Sequence, residues 1–189
     1  MQQQSRSSRA TWRHLLWLVL VGASVAFSLG FACAVPLAAF AAAAALTLSR
    51  HDALVLIVAV WLANQLVGFV VLDYPWTANT FAWGVALGAV AVLTTVAGGW
   101  AVGRSMGAGR AVGYVATFLV AFAVYEATLF VISATLLGGT EIYTLAIQGR
   151  IFALNAVAFV GLLALHRLAV SVGFAVRPTV EPSLTERHA

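Results

Sequence analysis

Trp12 to Leu48 reads WRHLLWLVLVGASVAFSLGFACAVPLAAFAAAAALTL, and its division decides the fold. A helix crossing a bilayer needs roughly 20 apolar residues. This stretch of 37 is too long for one such helix and short for two full ones. Pro36 lacks a backbone donor and follows Gly30 and Cys33 closely, so the break falls there. The reading is a first span at about 12–33 and a short, Ala-rich second helix at about 36–49. Downstream, apolar runs at about 53–72, 80–103, 111–137 and 149–176 give four more. Asp73-Tyr74-Pro75, the Gly107–Gly109 loop, Gly138-Gly139 and Pro178 punctuate them. The expected fold is an all-α polytopic membrane protein of six helices, with residues 1–11 and 177–189 as polar tails.

Composition agrees. Of 189 residues, 62% are hydrophobic and only 8% charged, more apolar surface than a soluble domain of this size can bury. All ten basic residues are Arg, as a GC-rich bacterial genome would give, and they lie mainly at segment ends. No basic cluster interleaved with aromatics points to nucleic acid. The N-terminal MQQQSRSSRATWR resembles a signal-peptide head, but the apolar stretch behind it is too long, so it reads as a retained helix.

Arg placement orients the spans. Arg6, Arg9, Arg13, Arg50, Arg104, Arg110, Arg177 and Arg187 all fall on one side of a six-helix chain, which makes that side the cytoplasm. Only Arg150 falls opposite, near Asp73 and Glu141. Both termini are therefore expected inside a bacterial inner membrane. A five-helix chain would place Arg104 and Arg110 opposite Arg50, which argues against it. Trp12, Trp17 and Trp100 mark the inner interface, and Tyr74, Trp76 and Tyr143 the outer one.

Polar groups inside the apolar runs are few. Asn64 and Gln65 lie just outward of the middle of the third span, Glu126 just outward of the middle of the fifth, and Asn155 two turns into the sixth. Such groups are expensive at bilayer depth and usually face a cavity. With Arg150, with Asp73, Tyr74, Trp76 and Asn79 of one outer loop and with Glu141, Tyr143 and Gln148 of the other, they form an expected outward-opening cup. Apolar walls with a few placed polar groups are what a small polar ligand requires. Two plainer readings stand beside it. The amides can be hydrogen-bond links between helices, and Glu126 can be neutral or paired with Arg150.

Gly22, Ala26 and Gly30 recur every fourth residue on the first span and form a small-residue stripe, either internal packing or a docking strip for a membrane partner. The run Ala38 to Ala45, broken only by Phe40, gives the second helix a similarly smooth surface. Cys33 could bring a soft thiolate to the mouth of the cup, or be a small apolar filler. A single cysteine excludes an internal disulfide and any multi-Cys metal site. No motif for a catalytic nucleophile, a phosphate loop, a metal site or a resident cofactor appears, so no enzyme is expected.

Six helices in about 190 residues, a short second helix, a small-residue stripe and an outer cup resemble the substrate-binding membrane subunits (S components) of energy-coupling-factor vitamin transporters. Trp61-Leu62-Ala63-Asn64-Gln65, Gly68-Phe69, Tyr74-Pro75-Trp76 and Ala82-Trp83-Gly84 are similar to small proteobacterial members of the cobalamin-uptake branch. The resemblance implies capture of a vitamin, cobalamin among the candidates, from the outer side. The subunit would then topple in the membrane, with or without an energising transmembrane and ATPase module. The resemblance implies, for some members of that branch, a cysteine as cobalt ligand. Here Cys33 lies in the first outer loop, and the loop after the third span has none, which leaves the substrate open. A structural subunit of a membrane complex, or a membrane-embedded enzyme using Glu126, are the competing readings.

Overall fold

The structure is a computed structural model that describes Gly22 and residues 35–171. Among the described residues every regular element is a helix, and there is no strand. The helices are α1 (Leu37–Thr47), α2 (Arg50–Val70), α3 (Ala78–Ser105), α4 (Arg110–Ile132) and α5 (Leu145–Ser171). Short 3-10 turns at Met106–Ala108 and Thr140–Ile142 join them, and α4 runs on through a π turn at Ser133–Leu137. Four segments are long and apolar enough to cross a membrane: α2, α3, α4 with its π extension, and α5. Their outward faces carry large apolar side chains such as Leu66, Val85, Leu136 and Val157. In water such a surface would aggregate, and in lipid it is the contact face. The chain is a multi-pass membrane protein.

The short second helix is present. Pro36 takes the N-cap position of α1, as expected for a residue that cannot donate. Eleven residues rise about 16 Å, half the hydrocarbon thickness. The helix is not a smooth outer face. Leu37 to Ala42 are all 0–2% exposed, and α1 touches each of the four long helices. The alanines are small because α1 fills the centre of the bundle, where larger side chains would hold the surrounding helices apart.

The ends of α2 show how local chemistry sets boundaries. Ser49 caps it, its hydroxyl accepting from the Asp52 N–H at 3.2 Å and donating to the Asp52 carboxylate at 3.0 Å. The helix therefore starts three residues before the apolar run does. At its other end Asp73 adopts a left-handed φ of 51°, which turns the chain toward α3. At the end of α4, Gly138 and Gly139 have φ of 76° and 90°, conformations that suit glycine.

Helices α2 and α3 interlock side chain to backbone. The Trp61 indole N–H donates to the Gly84 carbonyl at 2.8 Å, and its ring lies over Gly88. Gln65, one turn along, lies against Gly84. The first span, with Ala26, Gly30 and Cys33, and the tail from 172 onward lie outside the described residues. Gly22 is helical and exposed.

Candidate functional site

Asn155 lies ten residues into α5, roughly 15 Å below its start. Its side-chain oxygen accepts the Ala39 N–H at 3.1 Å, and its amide nitrogen donates to the Ile151 carbonyl at 3.0 Å. Ala39 occupies the first turn of α1, whose N-cap Pro36 makes no side-chain cap bond. Asn155 thus supplies from another helix the cap that α1 lacks. The amide links helices, and both its functions are engaged with backbone.

Above this junction α1 has no further turns, and the space it leaves is a partly open cavity of about 160 Å³. Val35 forms part of its wall, and the apolar walls include Leu129, Ile151 and Leu154. Four groups add polarity: Glu126 and Tyr125 from α4, Tyr143 from the connection, and Gln148 beside Asn155 on α5. Gln148, Ile151 and Asn155 fall at i, i+3 and i+7, one face of one helix. Glu126 lies eleven residues from Leu137, at a depth matching Asn155. Tyr143 lies outside the spans, and its phenol is held above the usual range, first by burial and then by the nearby Glu126. It is a neutral hydroxyl that can both donate and accept.

Glu126 has no ion-pair partner among the described residues, where the sole pair is His51 with Asp52 at 3.9 Å. Arg150 is exposed, makes no such contact and is not among the cavity walls, so the alternative of a Glu126–Arg150 pair is not formed. Among the described residues, the N-terminal ends of α1 and α5, each with a partial positive charge, border this cavity at Val35 and Gln148.

The single cup anticipated from the sequence divides in two. Glu126 and Asn155 share the cavity, whereas Asn64, Gln65, Asp73, Tyr74 and Trp76 are not among its walls. They belong to α2 and its connection to α3. Asn64 is half-buried on α2. Gln65 fits against Gly84, and exposed Asp73 serves the turn. The Tyr74 ring folds back over Gly68 while its N–H donates to the Gly68 carbonyl at 3.0 Å. Phe69 contacts Tyr74 edge-on at 6.1 Å, Trp76 at 5.3 Å and Phe81 in a stack at 4.9 Å. These aromatics close the α2–α3 corner.

The physical reason is angular. Sequence position gives depth along a helix but not the direction around the bundle. Tyr125 was absent from the anticipated site. Tyr143 and Gln148 were expected there as loop groups, and Gln148 instead lies within α5, at i, i+7 spacing with Asn155. No group of three or more His, Cys, Asp or Glu able to hold a metal occurs among the described residues. Compared with protein families, characterised proteins and solved structures, the chain matches none.

Proposed function

We propose that this protein is a substrate-binding membrane subunit for uptake of a small, polar, vitamin-like micronutrient, and that the Glu126 cavity is its binding site. One observation carries the reading. A carboxyl group without an ion-pair partner among the described residues lines a partly open cavity well inside a membrane-spanning helix. Such a group is costly unless something pairs with it. A ligand presenting an N–H donor or a positive charge would pair with Glu126, and Tyr143 and Gln148 offer further hydrogen bonds. The volume sets the scale. Pockets for drug-sized ligands run about 300–1,000 Å³, so a cavity of about 160 Å³ argues for a ligand smaller than a corrinoid. Among vitamin-type substrates this favours a small heterocycle over whole cobalamin.

In this reading six spans place both termini in the cytoplasm of a bacterial inner membrane and open the cavity to the outer side. An energising module would dock on the Gly22, Ala26 and Gly30 stripe. Ala26→Leu would then abolish uptake in cells and leave the isolated subunit folded and ligand-competent.

The test begins with the protein purified in detergent, any retained small molecule being identified by absorbance and mass spectrometry. Glu126→Gln is expected to weaken binding of that molecule by about 10- to 100-fold, the loss of a charge-assisted hydrogen bond. Its melting temperature should stay near that of the parent. Equal losses of binding and stability would instead assign Glu126 to structure, as Asn155 already is. That outcome would favour a packing subunit of a membrane complex.

A further inference from the structure

At the opposite end of the bundle lies a larger groove, about 500 Å³, between the end of α1, the start of α2 and the second half of α3. Small residues make its floor: Ala45, Ala53 and Gly99. A Cβ added at Gly99 would meet nothing within 4 Å, so the floor is open space and not a packed contact. Leu54 and Val96 continue the apolar wall, and exposed Val96 marks the side turned to lipid.

The groove ends in positive charge. Arg50 lines it, exposed and without an ion-pair partner among the described residues. Trp100 also lines it, and the Arg104 guanidinium lies 4.0 Å from the Trp100 ring centroid. The nearest acid on the same helix, Asp52, is engaged by the Ser49 hydroxyl and by His51. An apolar channel that faces lipid and ends in two arginines and an interfacial tryptophan has the chemistry of an acyl chain below an anionic headgroup. Charge complementarity selects this occupant over an apolar helix, which would not use Arg50 and Arg104, and over a zwitterionic lipid, whose phosphate charge is offset by its own ammonium.

We propose that this groove binds one anionic phospholipid, its acyl chain along Ala45, Ala53 and Gly99 and its phosphate between Arg50 and Arg104. The site is independent of the Glu126 cavity and does not depend on the transport reading.

Native mass spectrometry of the full chain tests it, with phosphatidylglycerol and phosphatidylcholine of identical acyl chains titrated separately. The parent should retain the first lipid about tenfold more strongly than the second. Arg50→Gln with Arg104→Gln should bring that ratio close to one, whereas Arg110→Gln, which removes a charge from the same end outside the groove, should leave it unchanged. Gly99→Leu fills the floor and should reduce retention of phosphatidylglycerol about tenfold without lowering the melting temperature. It carries the test alone if the double arginine variant does not fold. Equal retention of the two lipids by the parent overturns the proposal, as does a preference that survives Gly99→Leu. A dimer that Gly99→Leu dissolves would also overturn it, because the groove would then belong to a second copy.

Discussion

Asn155 shows how one amide can be read two ways until its partners are known. At bilayer depth an amide without partners is costly, and it can be satisfied by a ligand or by backbone. Here both ends bond to backbone, and the bond to Ala39 N–H fixes the start of a buried helix. Asn155→Leu removes the acceptor from a buried donor and is expected to cost about 1–3 kcal/mol, read as a lower thermal midpoint in detergent. Two threonines give the reverse case. Thr95 and Thr128 donate to the carbonyl four residues back at 2.8 and 2.7 Å, whereas the buried hydroxyls of Thr94 and Thr117 have no partner among the described residues. Thr94→Val keeps the shape and removes an unsatisfied group, so it should be neutral or stabilising by up to about 1 kcal/mol. A clear loss of stability in the same melt would show that the hydroxyl is satisfied in the membrane.

Among the elements, the legible and the illegible separate cleanly. The four long spans follow from unbroken apolar runs, and the start of α1 follows from Pro36. Burial of α1 does not follow, because a helix of Ala with one Phe has no polar face to show which side meets lipid. The α2–α3 interlock is hidden for another reason. It pairs Trp61 and Gln65 with Gly88 and Gly84 across more than 18 residues of chain, and glycines in an apolar run look alike until a partner covers them. Gly88→Ala tests the interlock. Its Cβ would come within 2.7 Å of the Trp61 ring, which the bond to Gly84 holds in place. Overpacking of about 1–3 kcal/mol is expected. Trp61→Phe in the same background should relieve part of that cost, and two independent penalties would rule the contact out.

For the whole molecule, depth was readable and azimuth was not. Glu126 and Asn155 were placed at one level and do share a cavity, while Asn64, Gln65, Tyr74 and Trp76 lie on α2 and its connection to α3. The same one-dimensional logic carries the topology. With α2 to α5 joined by short connections, successive helices run antiparallel. Arg50, Arg104, Arg110 and Arg167 then gather at one end, and Arg150 lies at the other with Asp73 and Glu141. Basic loops stay in the cytoplasm, so the groove end should face inward and the Glu126 cavity outward. Single cysteines on a Cys33→Ser background decide it. Gly107→Cys, in the α3–α4 connection, and Ser183→Cys, in the C-terminal tail, should resist a membrane-impermeant maleimide in intact cells and react after lysis. Thr140→Cys, in the connection before α5, should react in intact cells. Labelling of position 107 from outside would invert the bundle and turn the Glu126 cavity toward the cytoplasm. A carboxyl-lined cavity in that position could not capture a nutrient from outside, and the uptake reading would fall with the topology.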